Sequence, residues 1–346
     1  MIRIYHKLIL RHKPLYLKEL SYPSELVKGN TQTAKGIGHL RSTVELAKQL
    51  VNGDERLSIT VIIIPRSSGG DASDFAQISS FFTPSQDRLR HETISVADNP
   101  TGERLPTQVY IANQKPQVRD AVAKLLDPNS PSSPPRLAGF VIDMFCISMM
   151  DVADEFGVPT YMVYTSNAAF LGFSLHLQKM YDEKKLDTSE LSESVNELEI
   201  PCLTRPYPVE CLPYIFVSKE WLPLFLAQAR NFRKMKGILS LWFGVPMVTW
   251  PLYAEQKVNA FEMVDELGLA VEIRKFIRGD LLEGVMETVT AEDLERAIRR
   301  VMEEDSDVRN RVNEVAEKCH VALMDGGSSK AALRKFIQDV LENVVV

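Results

Sequence analysis

An α/β architecture built on parallel sheets is what this 346-residue sequence predicts. Three observations carry that expectation. From residue 36 onward, amphipathic helical segments alternate with short β-branched runs, the pattern of repeated β-α units. The composition, 45% hydrophobic and 25% charged residues, is that of a globular chain long enough for two domains. The units are also unevenly spread. Residues 36 to about 235 hold enough strands for a complete doubly wound domain, whereas residues 240 to 346 offer two strands and about four helices. A two-stranded parallel sheet leaves faces and edges uncovered, so the second portion reads as incomplete.

The elements follow in order. GHLRSTVELAKQL (38 to 50) predicts a helix whose apolar face is Leu40, Val44, Leu46, Ala47 and Leu50. LSITVIIIP (57 to 65) predicts a buried strand, followed by a helix near 71 to 81, a strand near 91 to 97 and a longer helix from Pro106 to Leu126. The linker DPNSPSSPPR then precedes the strand LAGFVID. VPTYMVYTS (158 to 166) predicts a strand, and SNAAFLGFSLHLQKMYDEKK a long helix with a Ser or Asn cap. The proline-rich IPCLTRPYPVECLP predicts a loop, and SKEWLPLFLAQARNFRKMK a helix. PMVTWP and LAVEIRK predict strands flanking AEQKVNAFEMVDELG, a helix closed by Gly268. AEDLERAIRRVME, DVRNRVNEVAEKCHVALM and SSKAALRKFIQDVLENV complete the chain as helices.

The charge balance narrows the function. A net charge of -6 argues against a binder of nucleic-acid backbones, which needs clustered Lys and Arg. Small molecules or protein partners are expected instead. Cys146, Cys202, Cys211 and Cys319 show neither a CxxC pair nor metal-ligand spacing, so reduced thiols in a cytoplasmic protein are expected. The apolar stretch LAGFVIDMFCISMM is too short to span a bilayer and contains Asp143, so no transmembrane segment is expected. Charges interrupt the N-terminal apolar residues, which argues against a signal peptide.

Several residues could carry chemistry. His39, in AKGIGHL, stands where a glycine-rich turn would open a helix, a position suited either to a base near neutral pH or to a plain helix cap. A dinucleotide fingerprint is set aside because Arg41 occupies the place of the third glycine. Asp143 ends a strand, where open α/β sheets place ligands, and is costly to bury unpaired; it is either the partner of an imidazolium or a cap for a helix starting at Ile147. His39 with Asp143 would make a base oriented by an acid. Thr165, at the next strand end, is either a hydrogen-bond donor into the same cleft or an N-cap. Trp250, Glu255 and Gln256 offer an aromatic face, an acid and an amide suited to a sugar ring, although Glu255 also fits an ordinary first helical turn. GxSxG, HExxH and P-loop motifs are absent, which removes the serine-hydrolase, zinc-protease and nucleotide-kinase readings.

Taken together, GIGHL, VIDMFC with VPTYMVYTSNAAFLGF, SLWFGVPMVTWPLYAEQKVNAFEMVDELGLAVEIR and DGGSSKAALRKF resemble the plant family 1 UDP-dependent glycosyltransferases, from about residue 36 to 343 with one internal gap. The resemblance implies a GT-B fold: a nearly complete Rossmann-like N-terminal domain for the acceptor (36–238) and a truncated Rossmann-like C-terminal portion for the sugar donor (239–346), after an atypical extension (1–35). It implies that His39 deprotonates an acceptor hydroxyl, that Asp143 orients and neutralises it, and that Thr165, Trp250, Glu255 and Gln256 face the transferred sugar. The donor would be a UDP-sugar, UDP-glucose being expected from Gln256, and the reaction would invert the anomeric carbon without metal or cofactor. Two departures stand out. The family's Trp-Ala-Pro-Gln segment, its His-Cys-Gly-Trp-Asn run and its ribose-binding glutamate have no counterpart: Trp221 and Trp242 have other neighbours, and Leu239 stands where the glutamate is expected. Residues 239 and 240 thus mark a junction, and weak or absent UDP-sugar binding is expected, with a non-catalytic small-molecule or partner-binding remnant as the alternative. Upstream of Gly36, SELVKGNTQTAK is too polar for the family's first strand, which IRIYHKLIL (2 to 10) would have to replace.

Overall fold

The computed structural model describes residues 33–65, 82, 88–95, 107–126, 137–191, 195–240, 247–249, 251, 255–273, 279–280, 285–286, 288–303 and 306–343. The expected strand at 2 to 10, helix at 71 to 81, linker at 127 to 136 and the side chain of Trp250 lie outside them. The chain divides into two compact units, residues 2–165 with 331–346, and residues 166–330.

In the first unit, helix α1 (Thr33–Gly53) is longer than expected and begins before the glycines. Its predicted apolar face is the buried one: Val44, Leu46, Ala47 and Leu50 are at most 4% exposed, and Ala47 and Val51 pack on Val61, Ile63 and Leu89 with Leu40 alongside. Those partners come from strands β1 (Ile59–Ile63) and β2 (Leu89–Thr93), which pair in parallel with Ile59 opposite Leu89. Strand β2 starts earlier than the expected 91 to 97, because burial of Leu89 pins the register. The single helix expected from Pro106 is two, α2 (Thr107–Ala112) and α3 (Lys115–Leu125). Pro116 explains the break: lacking an N-H, it is accommodated in a first helical turn and not in a helix interior.

Strands β3 (Phe140–Asp143) and β4 (Thr160–Tyr164) pair in parallel, Asp143 opposite Val163. Between them lie a 3₁₀ turn (Ile147–Met149) and α4 (Met150–Glu155). Every residue of β4 is buried, the signature of a central strand covered on both faces. From its Tyr161 the hydroxyl donates to Asp339 Oδ2 (2.6 Å) and accepts from Asn343 Nδ2 (2.8 Å). Both partners belong to the C-terminal segment, whose Ile337 fits against Gly53, where an added Cβ would come within 2.7 Å of Ile337 Cδ1.

The second unit opens with α5 (Ala168–Asp182), capped by Asn167 accepting from Phe170 N-H at 2.7 Å. The predicted loop at 200 to 213 is largely irregular, apart from the short strand β6 (Tyr207–Pro208), which pairs with β5 (Glu197–Leu198), and one 3₁₀ turn. It is followed by α6 (Tyr214–Val217), α7 (Leu222–Phe232) and β7 (Gly237–Ser240). Aromatic edges bind these elements: Phe173 of α5 meets Tyr207 at 5.0 Å between ring centroids, and Tyr207 meets Phe261 at 4.9 Å.

Strands β8 (Met247–Thr249) and β9 (Ala270–Glu272) pair in parallel, as expected for PMVTWP and LAVEIRK. Between them, α8 (Gln256–Phe261) loosens into a π-turn (Glu262–Glu266) before Gly268 ends it at φ 63°. Past the short pair β10 (Gly279–Asp280) and β11 (Val285–Met286), helices α9 (Ala291–Met302), α10 (Asp307–Leu323) and α11 (Ser328–Glu342) follow. Two small cores cover the β8-β9 pair: Val271, Ile273 and Ala297 form one, and Met263, Leu269, Ala270 and Val312 the other.

Helix α9 starts with a reciprocal cap in which Thr290 Oγ1 accepts from Asp293 N-H and Asp293 Oδ2 from Thr290 N-H. Thr290→Ala is therefore expected to cost about 1 kcal/mol of stability, measurable by urea denaturation. Among the described residues no helix is long and apolar enough to cross a membrane, and none of the four cysteines is in a disulfide.

Candidate active site

The centre of the first unit's site is set by three strand and helix positions. His39 does not occupy a turn that opens a helix. It lies well inside α1, because the helix continues back through Gly38 and Gly36 to Thr33. Its side chain therefore leaves a regular helical backbone, and its own carbonyl accepts from Thr43 Oγ1 at 3.0 Å. Across the sheet end, Asp143 closes β3 and meets it: His39 Nδ1 and Asp143 Oδ2 are 2.7 Å apart, with the two side chains 30% and 19% exposed.

A carboxylate only accepts hydrogen bonds, so Nδ1 donates its proton to Asp143, and in the neutral imidazole Nε2 then carries the lone pair. That tautomer is the one a base requires. The other carboxylate oxygen, Oδ1, accepts from Phe145 N-H at 2.9 Å, and the Asp143 carbonyl from Cys146 N-H at 2.8 Å. Asp143 is therefore not the cap of the turn at Ile147, which has Cys146 at its N-cap and no side-chain capping bond.

Thr165 follows β4 and places Oγ1 2.9 Å from His39 Nδ1 and 3.3 Å from Nε2. It is not the N-cap of α5, a role taken by Asn167. With the Nδ1 proton engaged by Asp143, the threonine hydroxyl can donate to the Nε2 lone pair at 3.3 Å or weakly to Met144 Sδ at 3.5 Å. Phe145, which the sequence reading did not single out, packs its ring 5.3 Å from the imidazole at an interplanar angle of 32°. The neighbouring Cys146 is no competing nucleophile: burial, reinforced by the Asp143 carboxylate, pushes its thiol up to about 12.

The remaining candidates belong to the second unit. Glu255 is the N-cap residue of α8 without a capping side-chain bond, and Gln256 is the first residue of that helix. Their helix is tied down by Asn259, whose Oδ1 accepts from Asn167 Nδ2 at 2.8 Å. That pairing joins residues 92 apart, and no local signal announces it.

The π-turn carries the clearest electrostatic perturbation. Burial, and behind it the Glu266 carboxylate, push the Glu262 carboxyl up to about 7. Burial raises Glu266 too, but hydrogen bonds from Thr204 and Arg205 outweigh it and hold that group below its ordinary value. The folded chain thus favours protonated Glu262 more than the unfolded chain does. Stability is lost as pH rises from the ordinary value of 4.5 through about 7. Glu262→Gln is expected to raise the thermal midpoint at pH 8 and to leave it unchanged near pH 4.5, as differential scanning calorimetry would show.

Comparison with known proteins decides the lineage. A family model described as UDP-glucoronosyl and UDP-glucosyl transferase matches residues 223–315. UDP-glycosyltransferase 71B5 of Arabidopsis thaliana is 48% identical, the alignment covering 89% of this chain and 98% of that protein. The chain belongs to the UDP-glycosyltransferase family. Anthocyanidin 3-O-glucosyltransferase 1 of Manihot esculenta is 30% identical over 88% of this chain and 100% of its own length. Among solved structures, a UDP complex of a Siraitia grosvenorii transferase superposes with a TM-score of 0.72 at 26% identity, covering 88% of this chain and 98% of that one. The Medicago truncatula enzyme UGT71G1, complexed with UDP-glucose, gives 0.71 at 22% identity and supports the GT-B fold alone. UDP-sugar is the co-substrate of this family. The alignment with 71B5 runs over 473 positions against 346 residues here, so the relative carries a long stretch with no counterpart in this chain.

Proposed function

We propose that this chain descends from an inverting transferase that moves glucose from UDP-glucose to a hydroxyl of a small phenolic acceptor such as a flavonoid, and that its own activity is impaired. The observation that carries the catalytic half is the 2.7 Å contact of His39 Nδ1 with Asp143, which leaves Nε2 free of its proton and able to take one from an acceptor hydroxyl. As that proton leaves, Asp143 stabilises the imidazolium. The hydroxyl oxygen then bonds to the anomeric carbon on the face opposite UDP, whose bond breaks, inverting the centre. Thr165, Trp250, Glu255 and Gln256 are assigned to the sugar.

The impairment rests on the stretch that relatives carry and this chain lacks, placed here at residues 239 and 240. Without a uracil platform and a helix end for the pyrophosphate, UDP loses its main anchors. Residues 36–238 are then the acceptor domain and 239–346 a donor remnant, in a cytoplasmic protein. A flavonol is expected to bind saturably by fluorescence titration, while UDP-glucose added to that complex yields no glucoside above the blank. Rapid glucoside formation would contradict the loss of the donor site, and absence of saturable flavonol binding would contradict the retained acceptor pocket.

A further inference from the structure

We propose that Phe145 is a positioning residue for the base, holding the Asp143 carboxylate with its main chain and the His39 imidazole with its ring; this rests on reading His39 and Asp143 as the catalytic pair. The chain leaves β3 through a tight turn in which Asp143 O accepts from Cys146 N-H and Asp143 Oδ1 from Phe145 N-H. An aspartate whose side chain accepts from the N-H two residues on is fixed in rotamer by that bond. One oxygen is thereby held against its own turn, and Oδ2 is directed at Nδ1, 2.7 Å away.

The same residue then acts on the second partner. Its ring centroid is 5.3 Å from that of His39, tilted by 32°, within the range of favourable aromatic pairs. His39 stands on a helix 106 positions earlier in the chain, and its ring keeps 30% of its surface exposed, so packing from one side restrains how the imidazole turns. Among the described residues, Asp143, Thr165 and Phe145 face the ring. Thr165 Oγ1, at 2.9 and 3.3 Å from the two nitrogens, can donate to the Nε2 lone pair at the edge of the ring, and the Phe145 ring adds packing against the imidazole. Removing that packing leaves Asp143 oriented and the imidazole less restrained, weakening the pair by about 2- to 10-fold.

The test is proton NMR titration of the histidine C-H signals of the full chain, with the His39 signal assigned by its loss in His39→Gln. A carboxylate favours the imidazolium, so a loosened pair lowers the titration midpoint of His39. Phe145→Ala is expected to lower it by roughly a few tenths to one pH unit with the other histidine signals unmoved, and Phe145→Tyr to restore it. A His39 midpoint in Phe145→Ala equal to that of the unmodified chain overturns the proposal. If the alanine variant does not fold, Phe145→Leu is read by the same criterion, because it fills the space without an aromatic face. Asp143→Asn separates the two readings. If it moves the midpoint and the Phe145 variants do not, the role of Phe145 fails alone; if it moves nothing, the catalytic pair fails with it.

Discussion

Inserting the stretch that the 48%-identical relative carries, between Leu239 and Ser240, should raise the affinity for UDP by at least about three orders of magnitude. Stacking of a base on an aromatic side chain contributes about 1–3 kcal/mol, and hydrogen bonds to a charged group about 1.5–3 kcal/mol each. A single stacking platform with two phosphate contacts therefore exceeds the roughly 4 kcal/mol that a thousand-fold change represents. The insertion would also give strands β8 and β9 further neighbours in their sheet, so thermal stability should rise with affinity. Calorimetric titration of the completed chain against the unmodified one measures the first effect, and its melting midpoint the second.

In that completed chain, His39→Ala should lower kcat by about 10²- to 10⁴-fold, the usual contribution of a positioned base. Asp143→Asn should lose a comparable factor for a different reason. The amide nitrogen of an asparagine donates rather than accepts, so turning it toward Nδ1 would favour the tautomer with the proton on Nε2, where the acceptor's proton must go. KM for the acceptor should change little in either variant, because the pair acts on the proton in transit and not on the bulk of the bound molecule. A drop in KM and kcat together, or retained kcat in His39→Ala, would contradict the assignment.

The parts of this architecture legible in the sequence were those governed by local pattern. Buried runs such as TYMVY announce a central strand through β-branched and aromatic content, and Leu40, Val44, Ala47 and Leu50 announce a buried helical face through their spacing. Asp143 was legible because it stands at a strand end where chemistry is expected, and His39 through its glycine-rich setting, although His39 lies well inside α1 rather than at its opening. Two glycines cost a helix about 1 kcal/mol each relative to alanine, a penalty that the buried face of α1 outweighs. The break at Pro116 was missed by the expectation of a single helix, although a proline cannot sit in a helix interior at no cost.

What escaped was non-local. Phe145 reads as one apolar residue among several in VIDMFC, and its contact with His39 depends on the meeting of a helix and a strand end more than a hundred residues apart. Asn259 is similarly silent until α5 and α8 are brought together. The π-turn at Glu262–Glu266 has no pattern of its own; it places Glu266 where it accepts from the loop at Thr204 and Arg205.

The most direct test is isothermal titration of UDP into the unmodified chain. If the nucleotide-gripping stretch is lost, as proposed, no saturable heat is expected up to millimolar UDP. A micromolar dissociation constant with one site per chain would mean that the grip is present after all, and would contradict the account.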